Sequence, residues 1–400
     1  MQKIKRSTIL ILLCWVAYTC SYVGKLGFSA NIKSIENYFN VTHAQSGTVT
    51  SCFFFAYGIG QIVNGILCKR YNVRVVVALG LLLSGIMNLT VGIVKSFEIV
   101  KFLWLINGVA LSFLWTSIIK TLSENLDKKE MGKAVVVIGT TVATGTFIVY
   151  GLSSLFVALG AFKIIFFLSG VLLPLIGLIW FVCIPKVTLK QEKHEEVEVK
   201  LNKNKSVFGD LGLTVAVIAL FAVVNNFVKD GLTTWVPAIL TETYNLPEYV
   251  SILLTLLLPI LAFFGVTVAV KLRKKISNFV KLISFLFFTA SIFIGIVAIF
   301  LTTGGFAVTI CCFSVVSCLM ASVNNVITSM APLYWKEKAN SGFLAGFFNG
   351  FCYLGSTLSS FGLGYMADMY GWNVVIIVPF ALCLVVSLFG LFPFKNAKSE

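Results

Sequence analysis

KVTLKQEKHEEVEVKLNKNKS, residues 186–206, is the one long polar stretch in a chain of 400 residues. Its mixed charges read as a solvated linker, with room for a short surface helix. Working outward from it, apolar runs separated by short polar breaks fall six on each side. They cover residues 7–34, 46–68, 73–94, 98–121, 131–158 and 163–184 before it. After it come 211–241, 248–271, 277–301, 305–332, 338–366 and 371–393. Each is close to the roughly 20 apolar residues that a helix needs to cross a bilayer. The expected architecture is therefore all-α. Twelve transmembrane helices form a six-helix bundle over 1–185, a cytoplasmic linker over 186–206 and a second six-helix bundle over 207–400, around a central cavity.

Composition agrees. Apolar residues make up 58% of the chain and charged residues 12%, with a mean hydropathy of +0.95. A soluble domain carries about twice that share of charge, so a soluble enzyme, a disordered chain and a coiled coil are excluded. A transmembrane barrel would show alternating segments of about 10 residues, and these runs are continuous. The start of the chain, Met1 to Arg6 and then an apolar run, reads as an uncleaved first helix, because no small-residue cleavage site follows.

The net charge of +15 finds its explanation in topology. With the N-terminus in the cytoplasm, 25 of the 31 Lys and Arg fall in cytoplasmic segments. Lys33, Lys95, Lys101 and Lys163 fall outside. This bias is the positive-inside pattern, with both termini cytoplasmic, and no nucleic-acid partner is needed to account for the charge. The 10 Cys lie mostly within apolar runs and read as small packing residues. His43 and His194 sit in expected loops far apart. No ligand set for a metal and no cofactor motif stands out, and no nucleophile–base set suggests an enzyme.

Two basic residues remain, Lys25 and Lys229, both inside apolar spans. A Lys near the bilayer centre costs about 2.5–3.5 kcal/mol on insertion scales. Each lies about 18 residues into its span, or about 27 Å along a helix, in the first span of its half. Their surroundings match as Lys25-Leu26-Gly27-Phe28 and Lys229-Asp230-Gly231-Leu232. Snorkelling to an interface is one reading. The other is a pair of cations facing each other across a central cavity, one from each half, suited to a multidentate anion such as a phosphate. An empty site of that kind would hold two unpaired cations.

The other polar residues within spans are mostly neutral. Tyr22, Tyr57, Gln61, Asn225, Asn226, Trp235, Asn325 and Asn349 offer donors, acceptors and flat faces to a hydroxylated ligand. Tyr18, Asn31, Asn64, Asn107, Trp115, Thr233, Asn324 and Tyr353 are of the same kind, and helix–helix hydrogen bonding is open to all of them. Asp230 is the one acid deep in a span. It is a candidate proton relay, or a simple partner to Lys229.

Taken in order, these segments resemble the major facilitator superfamily. More narrowly, they resemble its organophosphate:phosphate antiporters, the glycerol-3-phosphate and hexose-phosphate exchangers. Tyr22-Val23-Gly24-Lys25 is similar to that family's Tyr-x-x-Arg, and Lys229-Asp230-Gly231 through Trp235 and Pro237 to its R-Y-G-x-x-x-W-x-P. Ala56-Tyr57-Gly58-Ile59-Gly60-Gln61 with Gly65, Arg70 and Arg74 resembles its second helix and following loop. Asn107-Gly108 with Trp115, and the run from Ala331-Pro332 to Gly371-Trp372, resemble its fourth and eleventh helices.

The resemblance implies that Lys25 and Lys229 hold a substrate phosphate, in place of two Arg. It also assigns Arg70 and Arg74 to a cytoplasmic gate, where Lys69 replaces the usual Asp. The His that the exchangers carry in the fifth helix is missing between Met131 and Ala158. The expected function is a monomeric carrier in a plasma membrane, of the bacterial inner-membrane kind. It would exchange a phosphorylated sugar or polyol for inorganic phosphate. The alternative is a proton-coupled symporter or exporter of a carboxylated or drug-like solute, using Asp230. A non-transporting sensor is a third.

Overall fold

The computed structural model describes residues 6–67, 70–188, 212–303, 305–335 and 341–393. Most of the linker, with His194 and also Lys69, lies outside these. Among the described residues there are helices and loops and no strand. A backbone in hydrocarbon has to satisfy its own N–H and C=O groups, and continuous helices do so within one segment.

The N-terminal set comprises α1 (Arg6–Ala30), α2 (Ile32–Phe39), α3 (His43–Leu67), α4 (Val73–Ile93), α5 (Phe97–Asn125), α6 (Lys128–Gly139), α7 (Thr141–Ala158) and α8 (Ile164–Val187). The C-terminal set comprises α9 (Gly212–Tyr244), α10 (Glu248–Thr255), α11 (Leu257–Ala262), α12 (Gly265–Arg273), α13 (Phe279–Phe300), α14 (Phe306–Asn325), α15 (Ala331–Tyr334), α16 (Ser341–Tyr370) and α17 (Trp372–Ser387). Ten described helical stretches are long and apolar enough to cross a membrane. The expected spans 46–68 and 338–366 appear as the long helices α3 and α16.

Prolines explain several interruptions. The span Glu248–Arg273 is broken into α10, α11 and α12, with Pro259 inside α11. Pro259 offers no N–H to Thr255, and its ring crowds that carbonyl, so the helix breaks at Leu256. Pro332 has the same effect two residues after the π-helical segment Val326–Met330, which absorbs the lost bond between α14 and α15. The α16–α17 corner turns on Gly371 at φ 75°, a left-handed conformation that a side chain would strain.

Within the N-terminal set, α4 packs on α8 and α5, and α1 on α7 and α8. Within the C-terminal set, α9 packs on α16, and α13 on α14 and α17. The sets meet where α3 lies along α16, α7 against α10 and α11, and α9 against α1 and α2. Small residues let α3 and α16 approach closely. A Cβ added at Gly47 would sit 2.2 Å from the Ser360 carbonyl oxygen, so the two backbones pack there in contact. Four tryptophans, Trp104, Trp180, Trp235 and Trp335, are fully buried.

Candidate functional site

Lys25 stands on α1 and is placed there by the helix next to it. The Gly24 carbonyl accepts hydrogen bonds from Asn107 Nδ2 at 2.9 Å and Asn88 Nδ2 at 3.3 Å. Ser84 Oγ in turn donates to Asn107 Oδ1 at 2.6 Å. This ties α1 to α4 and α5 one residue before the lysine and turns Lys25 toward the centre. There its Nζ lies 4.5 Å from the ring centroid of Tyr57, 5.2 Å from Tyr353, 5.5 Å from Tyr22, 5.6 Å from Phe54 and 5.9 Å from Phe53. Four of these rings belong to the N-terminal set and Tyr353 to α16. The faces of aromatic rings attract a cation, and no carboxylate within salt-bridge distance of Lys25 occurs among the described residues.

Lys229 stands on α9 in a different setting. Its Nζ is 3.4 Å from Asp230 Oδ1, with side-chain exposures of 29% and 16%. Asp230 Oδ2 accepts from Asn226 Nδ2 at 3.1 Å and from Ser356 Oγ at 2.5 Å. Asn226 also donates to Ser356 Oγ at 3.2 Å, and Asn225 Nδ2 donates to Asn226 Oδ1 at 3.0 Å. The carboxylate is thus clamped between α9 and α16. Lys229 and Asp230 are near enough for their charges to act on Lys25 across the boundary between the sets. The expectation of two unpaired cations is therefore corrected to one. Lys229 has its own counter-anion on the adjacent residue, and Lys25, among the described residues, is in contact with rings and with no carboxylate.

The remaining expected residues divide. Tyr22 and Tyr57 line the space around Lys25. Gln61 Nε2 donates to the Ser112 carbonyl at 3.0 Å and is buried against α5. Asn349 lies one turn before Tyr353 on α16 and is partly exposed. Asn325, also partly exposed, immediately precedes the π-helical segment. Trp235 lies elsewhere, fully buried at the far end of the bundle, 5.6 Å from His43 and 5.8 Å from Trp372 between ring centroids.

Arg74 acts within the N-terminal set. Its Nε donates to the Phe181 carbonyl at 2.7 Å and its guanidinium lies 3.9 Å over the Phe181 ring. Arg70 makes a backbone turn, its N–H bonded to the Leu67 carbonyl at 2.8 Å.

A second polar centre joins the sets at the end of the bundle away from Arg6 and Lys186. Lys33 Nζ, on α2, is 2.5 Å from Glu242 Oε1 and 3.5 Å from Glu36 Oε2. His43 opens α3, just outside the apolar run 46–68. Its Nδ1 is 2.9 Å from Glu36 Oε1 and its Nε2 is 3.2 Å from Glu242 Oε2. Trp372 Nε1 donates to the same Oε2 at 2.7 Å. Asp368, at the end of α16, accepts the N–H groups of His43 and Ala44 at 3.0 and 2.8 Å, so a carboxylate from one set caps a helix of the other. Ser34 bonds Glu248.

Burial opposes protonation of His43. Hydrogen bonds to Glu242 and Glu36, and the charges of both, outweigh that and push it up to about 9. Lys33 is likewise raised: burial opposes its charge, and Glu242 and Glu36 outweigh it. Glu36, His43 and Glu242 offer ligand atoms within 4.8 Å of one another, a spacing that a metal ion tolerates. Here the Lys33 ammonium stands between the two carboxylates, and each ring nitrogen of His43 already faces one of them. This centre was not visible as a unit in the sequence. The available signal was the clustering of Lys33, Glu36 and His43 in one short connection, with Glu242 at the matching end of α9.

Comparison with known proteins fits this geometry. The profile of the Major Facilitator Superfamily matches residues 14–360. A probable hexose phosphate transport protein of Chlamydia pneumoniae is 22% identical, over 96% of this chain and 90% of its own. The membrane sensor protein UhpC of Salmonella typhimurium is 21% identical, over 98% and 92%. Both relatives are of the organophosphate:phosphate antiporter family, as the sequence motifs suggest. Among solved structures, a bacterial homolog of the human lysosomal transporter Spinster, inward-facing and occupied, superposes with a TM-score of 0.79. It is 15% identical, over 98% of this chain and 97% of that one. The nucleoside transporter NupG gives 0.73 at 13% identity, over 97% and 98%. These are folds of transporters and not of enzymes. The chain, matched over most of its length by one profile and with ten membrane-length apolar helices among its described residues, belongs to the Major Facilitator Superfamily.

Proposed function

We propose that this chain is a secondary carrier of a small phosphorylated organic anion, a sugar or polyol phosphate exchanged for inorganic phosphate. In this reading the chain crosses a bacterial inner membrane twelve times, with both termini cytoplasmic, and works as a monomer. Residues 1–185 and 207–400 form two six-helix bundles that rock about a central site. The observation that carries the reading is that Lys229, from one set, acts on Lys25, from the other, beside Tyr22, Tyr57 and Tyr353. Lys offers an anion a compact point charge, and hydroxyls and amides suit the sugar.

Relatives named as hexose phosphate transport proteins support the substrate class. The polar centre at Lys33, His43 and Glu242 ties the two sets at the far end, as an inward-facing carrier would require. Arg70 and Arg74 remain candidates for the gate at the other end, acting when that end closes. Purified protein in vesicles loaded with inorganic phosphate tests this. Uptake of hexose 6-phosphate should depend on internal phosphate and be lost in Lys25→Gln and in Lys229→Gln. Equal uptake into vesicles without a counter-anion would rule out exchange.

The Lys229–Asp230 pair favours a second reading, a proton-coupled carrier of a carboxylated or drug-like solute with Asp230 as relay. There transport would collapse with an uncoupler and Asp230→Asn would spare exchange.

A further inference from the structure

Among the described residues Asp230 is the one carboxylate that acts on Lys25 and that pairs with Lys229, so with both lysines protonated and Asp230 ionised the empty site carries one net positive charge. The groups that face Asp230 come from every neighbouring helix: Lys25 and Tyr22 on α1, Tyr150 on α7, Lys229 on its own helix, and Cys352 and Tyr353 on α16. None is a second carboxylate. Its two oxygens are not equivalent. Oδ2 is filled by Asn226 and Ser356, whereas Oδ1 has Lys229 at 3.4 Å. An anion that takes Lys229 leaves Oδ1 without its cation.

Moving a loaded site through a low-dielectric interior is least costly when the site is neutral. Phosphate monoesters have a second ionisation near pH 6 and are therefore present as monoanion and dianion around neutrality. A monoanion neutralises the site as it stands. A dianion leaves it one charge short.

We propose that Asp230 sets the charge of the anion the carrier accepts: a monoanion binds with no proton, and a dianion binds with one proton added to Oδ1 of Asp230. This rests on the phosphate-ester reading above. The proton comes from water on the side where the site is open, and the carboxylate becomes a carboxylic acid as Lys229 passes to the phosphate. Every loaded form then has the same charge, so exchange of one phosphate species for another moves no net charge.

Titration calorimetry of the full-length protein in detergent tests this, in buffers of different ionisation enthalpy at pH 7 and 8. The probes are inorganic phosphate, hexose 6-phosphate and hexose 6-sulfate, the last a permanent monoanion. For wild type, hexose 6-phosphate should take up about one proton per molecule bound at pH 8 and weaken about tenfold per pH unit. Hexose 6-sulfate should take up none and bind equally at both pH values. Asp230→Asn should bind the phosphate dianion with no proton and no pH dependence, and Asp230→Glu should keep the uptake.

A full proton in Asp230→Asn, or a pH-dependent sulfate in wild type, would overturn the inference and leave the transport reading intact. The wild-type sulfate comparison stands even if Asp230→Asn does not fold. Failure of wild type to bind phosphate or either ester would overturn the phosphate-ester reading, and the inference with it.

Discussion

Lys25 and Lys229 occupy the same place in the first long helix of each set, yet the chain treats the two charges differently. Lys25 is surrounded by five rings, and Lys229 has a carboxylate on the next residue. Ring faces attract a cation by about 0.5–2 kcal/mol and leave its charge unspent. A carboxylate neutralises its partner. Lys25 is thus poised to draw in an anion, and Lys229 to exchange one anion for another. The pair is symmetric in sequence and unequal in chemistry, and the difference lies in Asp230, where the first set has Leu26.

The sharpest way to break this comparison is to remove each lysine in turn. Lys25→Gln should weaken phosphate-ester binding roughly 30-fold or more, since losing one partner of a desolvated charge pair costs about 2–5 kcal/mol. It should leave the melting temperature of the empty protein nearly unchanged, because relief of a desolvated charge offsets the lost ring contacts and no carboxylate is abandoned. Lys229→Gln should lose binding and also stability, on the order of 1–3 kcal/mol, because Asp230 is left without its cation. Thermal unfolding in detergent distinguishes the two. Equal losses of stability would mean that the two lysines are equivalent after all.

The double variant Lys229→Gln with Asp230→Asn should recover most of that stability and none of the binding. Recovery of less than half would locate the cost in the α9–α16 clamp itself. A smaller effect belongs to the rings. Tyr57→Leu should lower the stability of the empty protein by about 0.5–2 kcal/mol, and Tyr57→Phe by less than about 0.5 kcal/mol. A Phe as harmful as Leu would show that the hydroxyl, and not the face, holds Lys25.

A separate effect, read through pH, is expected at the far end. His43 is raised from 6.5 to about 9. Its contribution to stability is therefore complete below 6.5 and is lost as pH rises through about 9. Wild type should melt at a lower temperature at pH 9.5 than at pH 6, and His43→Gln should flatten that slope. An unchanged slope would assign the pH dependence to another group.

The apolar runs and the break at 186–206 announced helices and their order, because burial in lipid leaves long unbroken hydrophobic segments that no loop imitates. Lys25 and Lys229 were legible for the opposite reason, as charges where charge is expensive. The ring cage was only half legible. Tyr22 and Tyr57 stood out as polar, but Phe53 and Phe54 looked like ordinary span residues, and what matters is which face of α3 they share. Trp235, six residues after Lys229, was expected to offer a ligand its N–H and flat face. Six residues is more than one and a half turns, so it points into a different layer, against His43 and Trp372. The centre of Lys33, Glu36, His43 and Glu242 was not legible as a unit, since its members lie up to 209 residues apart and only folding sets them at one height.

Asp368 binds the N-terminal set through the main-chain N–H groups of His43 and Ala44. Every residue except proline brings that N–H, so substitution on the α3 side leaves the donors in place while the helix start persists. Over evolutionary drift, one partner in this contact is therefore free to vary and the other is not. Covariation between aligned sequences would give no sign of it, and a search for paired changes would miss a tie between the two sets that a single change at position 368 is able to cut.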